Sequence, residues 1–403
     1  MRKPTQEEMQ ELLTRSIAGI LPGKEAFEKR LLSGKPMTIY MGADATGPEL
    51  HLGHATNFLF LEKLRTLGHR VIILFGDFTA MIGDPSDKEA ERKPLSKKEV
   101  GENIKSWKKQ VGKVLNLTDK KNPAKILKNS SWLSQLALDK VLELAGSFTV
   151  QQIIERDMFQ KRMKDGKPIH LHEFLYPLMQ GYDSVVMDVD AEVGGNDQLF
   201  NMMAGRTLQK KYNNKDKFVI TTTLLFNPKT GKKLMSKSEG GYIALSDSPE
   251  EMFGKTMALP DETIPQVFTD CTTLSLGEIE QVKKEIERGD NPRDIKMRLA
   301  YEIVSLYHGV KKADKARNNF VSVFQKRDIP EEVVIITAKS ADVAMSLVEN
   351  KIVASKSELR RLISAGAITH LEAKNKVTDI DYLNNHNGTY KIGSRRFVRI
   401  VNG

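Results

Sequence analysis

Val71–Phe75 (VIILF) is an unbroken apolar run with no polar alternation, the pattern of a strand covered on both faces by other structure. Upstream, Pro36–Ala43 (PMTIYMGA) reads as a second buried strand that enters a turn rich in Asp, Thr, Gly and Pro. Between them a helical run begins near Glu49, extends through Leu64 and is closed by Gly68. Strand, helix and strand in that order make a βαβ unit, because parallel strands can be joined only by a crossover. The chain is thereby committed to an α/β fold with a parallel sheet, and to a ligand site beyond the carboxyl ends of its strands. Ala191–Val193 and Phe218–Thr223, separated by the helical run Gln198–Tyr212, extend the pattern, so residues 1–240 read as one α/β domain.

The remaining length changes character. The 403 residues have room for two to four domains. From Ser248 to about Val334 the pattern is helical and charged, as in Leu276–Arg288 and Pro292–His308. A polar stretch around Ala338–Ala341 reads as a linker into a small α+β tail. The expected boundaries are therefore 1–240, 241–337 and 338–403.

A 40% hydrophobic and 28% charged composition excludes a disordered or fibrous chain. The net charge of +10 favours polyanionic partners, nucleic acid first, although a basic protein with no such partner has the same balance. The one cysteine, Cys271, cannot form an intramolecular disulfide, and no Cys/His cluster has zinc-finger spacing. No apolar run approaches the roughly 20 residues of a membrane helix, and Met1–Glu11 does not read as a signal peptide. A cytoplasmic location without membrane association is the expectation.

Two segments carry chemistry. Tyr40-Met-Gly-Ala-Asp44-Ala-Thr46-Gly-Pro-Glu-Leu-His51-Leu-Gly53-His54 lies where the first strand feeds the first helix. A helix start offers unpaired N–H groups to phosphates, and Gly53 leaves room for a flat base or ribose. His51 and His54, three apart, share one face and suit a phosphate whose charge grows during displacement. A strand–helix turn with two neighbouring histidines explains the same residues. A metal does not, since no third ligand is evident. The second segment, Lys232-Lys233-Leu234-Met235-Ser236-Lys237-Ser238-Glu-Gly-Gly, reads as a loop whose lysines can reach a triphosphate, or as a solvated basic hairpin.

Together the two segments resemble the signatures of the class I aminoacyl-tRNA synthetases. His51–His54 resembles HIGH with Leu for Ile, and Leu234–Ser238 resembles KMSKS with Leu for the first Lys. Three further stretches resemble bacterial tyrosyl-tRNA synthetases: His172–Asp183, the turn Gly194-Gly195-Asn196-Asp197-Gln198, and Ile82–Ser86 followed by Lys88 and Arg92. The resemblance covers nearly the whole chain.

It implies a Rossmann-like catalytic domain, then a helical domain on the anticodon side and an S-four-type RNA-binding tail. It also implies a tyrosine–tRNA ligase that makes tyrosyl-adenylate from tyrosine and ATP, then transfers tyrosine to tRNA. By the same resemblance Tyr40 and Asp183 bond the phenol hydroxyl, and Asp84, Tyr176 and Gln180 hold the ammonium group with Gln198 nearby. Asp44, Thr46, His51, Gly53, His54 and Gly195 contact ATP, and Asp197 its ribose. Lys237, Lys88 and Arg92 stabilise the leaving pyrophosphate. Mg²⁺ is expected to arrive with ATP, with no protein ligand to name, and a homodimer is a family expectation. Independently of the family, Tyr176, Gln180 and Asp183 share a helical face, either solvent-facing or, given the interleaved Phe174, Leu178 and Met179, lining a buried polar site.

Departures from the family pattern are Asn196 for Ser or Thr, Ala43 for Phe, Ala45 for Pro, and Leu234. In the tail, Lys356, Arg360 and Arg361 sit on a short helical stretch within Lys351–Gly366, followed by Arg395, Arg396 and Arg399. Such arginines suit phosphates and RNA, although a solvated helix face has the same composition. Lys97, Lys98, Lys105, Lys108, Lys109 and Lys113 form a second basic stretch, equally a tRNA-attracting surface or a plain solvated face. Rival readings are a tryptophanyl-tRNA synthetase, a non-catalytic RNA-binding relative, and a small nucleotidyltransferase. A phenol hydroxyl needs partners such as Tyr40 and Asp183, which argues against the first.

Overall fold

The computed structural model describes residues 2–85, 95–235, 242–325, 333–338, 343–373, 375–393 and 396–402. The chain divides into two compact units, Met1–Ala313 and Asp314–Gly403.

The first unit is built on six strands: β1 (Ile17–Leu21), β2 (Thr38–Asp44), β3 (Arg70–Gly76), β4 (Lys125–Lys128), β5 (Ala191–Gly195) and β6 (Phe218–Thr222). Their order across the sheet is β1-β6-β5-β2-β3-β4. All neighbours are parallel except the edge pair β1 and β6. β3 is buried along nearly its whole length, as its unbroken apolar run requires. The crossover helix from β2 to β3, Leu52–Thr66, buries Leu52, Ala55, Phe58, Leu61 and Leu64 at helical spacing. From β2 the order runs one way through β3 to β4 and the other way through β5 to β6. The switch point therefore lies between β2 and β5, where a parallel sheet leaves a crevice at its carboxyl end.

Two elements escape periodicity. β4 lies inside the lysine-rich stretch; its flanking Lys125 and Lys128 are exposed while Ile126 and Leu127 extend the sheet. β1 is short and half-exposed, pairing antiparallel at the edge. The charged helices Pro249–Met257, Ile264–Cys271, Leu276–Glu287 and Pro292–His308 belong to this same unit. Buried Arg15 ties them to the start of the chain, donating to the carbonyls of Thr269 at 2.8 Å and Thr272 at 2.6 Å.

The second unit carries five strands: β7 (Val334–Ala338), β8 (Ile368–His370), β9 (Asn375–Lys376), β10 (Gly388–Ile392) and β11 (Arg396–Asn402), in the order β7-β11-β10-β8-β9. It has its own core, in which Leu347, Leu359, Ile368, Tyr390 and Ile400 are fully buried. The helix Lys356–Ser364 turns Leu359 and Ile363 inward and leaves Lys356, Arg360 and Arg361 exposed. Arg396 is half-buried and bonded to Glu358 at 2.8 Å, whereas Arg399 is exposed. Arg395 lies outside the described residues.

Candidate active site

A cavity of about 420 Å³ opens at the switch point, lined by the ends of β2, β3 and β5 and by side chains of the helix Leu171–Val186. Both sequence signatures reach it. His51 precedes the first turn of the Leu52–Thr66 helix and His54 lies within it; their ring centroids are 4.0 Å apart, and both rings line the cavity beside Gly53. From the second signature, Leu234 and Met235 line it too. Ser236, Lys237 and Ser238 lie outside the described residues, as do Ser86, Lys88 and Arg92.

The three-residue stripe on the Leu171–Val186 helix faces inward. Tyr176, Gln180 and Asp183 all line the cavity, and Tyr176 and Asp183 are buried. Asp183 accepts from Trp132 Nε1 at 2.7 Å and from Asn129 Nδ2 at 3.3 Å. Burial pushes its carboxyl pKa well above the usual range, against the pull of those two donors. The Tyr176 hydroxyl donates to Asp44 at 2.9 Å; burial, with Asp44 and Asp84 close by, raises its pKa. Asp44 also accepts from Thr79 at 2.6 Å. Gly76 makes that arrangement possible, since a Cβ there would lie 2.0 Å from the Asp44 carboxylate and 2.3 Å from the Thr79 hydroxyl.

Asp84 and Gln198 meet at 2.7 Å, Gln198 donating, and both line the cavity. Asp197 and Gly195 line it as well, and Lys233 pairs with Asp197 at 3.2 Å. Thr46 is half-buried in the loop before the helix, its N–H on the Asp44 carbonyl at 2.7 Å, and does not line the cavity.

Tyr40 also stands apart from the lining. It is fully buried, its hydroxyl lies 2.9 Å from Ser184 Oγ, and it packs with Ile72, Leu74 and Val189. Asp44 and Tyr40 are on the same face of β2, but at about 3.3 Å per residue Tyr40 lies roughly 13 Å before Asp44, below the strand end.

Several residues that support the site are absent from the sequence expectations. Asn103, Trp107 and Gln110, on one face of the helix Lys97–Val111, clamp the first signature loop. Asn103 donates to the Ala45 carbonyl at 2.8 Å, Trp107 to Gly47 at 2.7 Å, and Gln110 to Pro48 at 2.9 Å, while Leu50 N–H donates to Gln110 at 2.8 Å. The exposed face of that helix carries Lys97, Lys98, Lys105, Lys108 and Lys109. Lys113 lies beyond the helix end and donates to the Leu245 carbonyl at 2.6 Å. The spacing of Asn103, Trp107 and Gln110 was available as a clue. So was Glu192, a charge in the middle of a buried strand, which demands a partner.

Among the described residues no group of three His, Cys, Asp or Glu is placed to hold a metal ion, and no helix is long and apolar enough to cross a membrane.

Comparison with known proteins agrees with this geometry. The family model for tRNA synthetases class I (W and Y) matches residues 32–325. A tyrosine–tRNA ligase of Carboxydothermus hydrogenoformans is 40% identical over 97% of this chain and 97% of its own length. That of Thermotoga maritima is 40% identical over 99% of this chain and 98% of its own. Among solved structures, a truncated mitochondrial tyrosyl-tRNA synthetase of Aspergillus nidulans shares the fold. Its TM-score is 0.68 at 22% identity, covering 79% of this chain and 95% of the other. The enzyme of Archaeoglobus fulgidus, solved with L-tyrosine, gives 0.60 at 23% identity over 77% and 99%. With a match across most of its length and His51, Gly53, His54, Leu234 and Met235 of the two signatures lining one switch-point cavity, the chain belongs to the class I tRNA synthetases (W and Y), among the tyrosyl-tRNA synthetases.

Proposed function

We propose that the chain is a tyrosine–tRNA ligase. The observation that carries the reading is Asp183, a buried carboxylate in the cavity wall with two donors already on it and acceptor capacity left for a phenol hydroxyl. ATP is the co-substrate. The tyrosine carboxylate attacks the α-phosphate, the bond to the bridging oxygen breaks, and pyrophosphate leaves. The tyrosyl group then passes to the terminal ribose of tRNA with no covalent enzyme intermediate. Catalysis on this reading is positioning and charge stabilisation.

Asp183 holds the hydroxyl together with Tyr40, whose own hydroxyl lies 2.9 Å from Ser184 Oγ. Asp84, Tyr176 and Gln180 hold the ammonium group, with Gln198 bonded to Asp84. Asp44, Thr46, Gly53 and Gly195 position ATP, and Asp197 its ribose. His51 and His54 stabilise charge on the phosphates. Lys237, Lys88 and Arg92 act on the departing pyrophosphate, and Mg²⁺ accompanies ATP on the phosphate oxygens. Supporting the ATP half are the close pairing of the two histidines and the clamp by Asn103, Trp107 and Gln110 on the loop before them.

We further infer that residues 1–240 act as the catalytic domain and that the expected helical anticodon-side part, 241–337, is divided, its helices up to Ala313 lying in the catalytic unit and β7 joining the S-four-type tail expected at 338–403. Lys356, Arg360 and Arg361 then contact tRNA, and the protein works as a cytoplasmic homodimer. Supporting the tRNA role is the exposure of those three side chains on one short helix. ATP–pyrophosphate exchange with each of the twenty amino acids tests the central reading. Exchange driven best by tyrosine is expected, and exchange driven best by tryptophan, or by none, overturns it.

A further inference from the structure

Directly behind Gln180 lies a buried ion pair. Glu192 sits in β5 between Ala191 and Val193, and Lys217 immediately precedes β6, the neighbouring strand. Their side chains are 1% and 0% exposed, and the Lys217 ammonium donates to Glu192 Oε2. Lys217 also donates to Ser184 Oγ at 2.9 Å. The other carboxylate oxygen, Glu192 Oε1, accepts from Gln180 Nε2 at 3.0 Å. Gly205 leaves space for the cluster, because a Cβ there would lie 2.4 Å from Lys217 Nζ and 2.8 Å from Ser184 Oγ.

The chemistry of these groups sets a direction. A carboxylate can only accept hydrogen bonds, whereas a carboxamide has one accepting end and one donating end. Glu192 therefore fixes which end of Gln180 faces it. Nε2 is turned to the strand, and the carbonyl oxygen is the end left for the cavity that Gln180 lines. A cavity wall that presents an acceptor favours a cationic donor.

We infer that the Lys217–Glu192 ion pair is a positioning and specificity element of the amino-acid site. It keeps Glu192 an acceptor and so holds the Gln180 carbonyl toward the cavity, where it selects ligands bearing an ammonium group. The inference rests on the placement of the ammonium group beside Gln180 proposed above. Neither Lys217 nor Glu192 lines the cavity; both act through Gln180.

Glu192→Gln reverses the direction. Lys217 would claim the new carbonyl oxygen, the new NH₂ would face Gln180, and Gln180 would turn its own NH₂ to the cavity. The probes are tyramine and 4-propylphenol, which share the phenol and differ by ammonium against methyl, each as a competitive inhibitor of tyrosine in ATP–pyrophosphate exchange. In Glu192→Gln the inhibition constant of tyramine should rise about tenfold while that of 4-propylphenol stays within about twofold, the size of one lost charged hydrogen bond. The double variant Glu192→Leu/Lys217→Met guards against a folding failure, because it leaves no orphaned buried charge. It frees Gln180 rather than reversing it, so the tyramine preference should fall by less.

Equal weakening of both probes would show that the pair is only a structural support, and parent-like preference in the variants would show that it is idle. Gln180→Leu separates this inference from the reading beneath it. If that variant loses the tyramine preference and the ion-pair variants keep it, the inference alone fails. If Gln180→Leu keeps it, the ammonium group does not sit beside Gln180 and both fail.

Discussion

Replacing Asp183 with Asn changes one oxygen for an NH₂ at nearly constant shape. The single remaining oxygen can keep the Trp132 bond now made at 2.7 Å. The new NH₂ then points at Asn129 or at the ligand hydroxyl, both of which need an acceptor. Tyrosine should therefore lose a hydrogen bond to a charged acceptor, about 1.5–3 kcal/mol, or roughly 10- to 150-fold in kcat/KM for activation. Phenylalanine makes no such bond and should change little, so the ratio of the two amino acids collapses by that factor. Tyrosyl-tRNA synthetases are themselves the standard case of a site built around a hydroxyl rejecting the analogue that lacks it. The assay is ATP–pyrophosphate exchange with both amino acids on one preparation. Equal losses for both would refute the placement of the phenol at Asp183.

The same substitution has a stability signature. Burial raises the folded pKa of Asp183 above its unfolded value near 3.9, so between those two pH values the folded state holds the extra proton. Stability contributed by this group is thus lost as pH rises through that window. Asp183→Asn should remove this pH dependence, so that its stability stays flat across the window in which the parent's falls. Tyrosine, by donating to the ionised form, should bind the parent more tightly as pH rises through the raised pKa, and the variant should show no such dependence.

Gly205→Ala should destabilise by about 1–3 kcal/mol in urea unfolding, because its Cβ meets the buried Lys217 and Ser184; a gain of about 1 kcal/mol, the helix preference for Ala, would show that the pair yields. His69 is 1% exposed and accepts from Met37 N–H at 3.1 Å, and burial lowers its pKa to about 4. Its contribution is complete above pH 6.5 and declines by about 3 kcal/mol as pH falls to 4, a loss that His69→Gln should lack in denaturant titrations across that range. Leu234→Lys should speed adenylate formation in a rapid-quench experiment without changing tyrosine affinity, and an unchanged rate would mean that Lys233 or Lys237 already suffices. Ending the chain after Gln325 should leave pyrophosphate exchange intact and abolish tRNA charging, since the core of the second unit uses none of the cavity residues; normal charging would remove the tail from tRNA binding.

The elements legible in the chain are those whose cause is local. The unbroken apolar run of β3, the helical spacing of Leu52–Thr66 and the Tyr176–Gln180–Asp183 stripe each follow from backbone period. Both signatures could be located for the same reason, as contiguous residues at strand–helix and loop positions. Strand order is not local. It brings Lys217 to Glu192 across 25 positions and Trp132 to Asp183 across 51, and it sets Tyr40 against Ser184 across 144. No period in the sequence encodes those pairings, because each depends on which strand lies beside which and on which face of it is covered. Tyr40 shows the consequence most plainly. Its residue type suits a phenol-binding role, and the fold sets its place: the hydroxyl lies 2.9 Å from Ser184 Oγ, the neighbour of Asp183 in sequence, while Asp44 at the strand end reaches the cavity. Residue type and spacing name the chemistry the chain can perform; the stacking of strands determines which of those side chains meet one ligand.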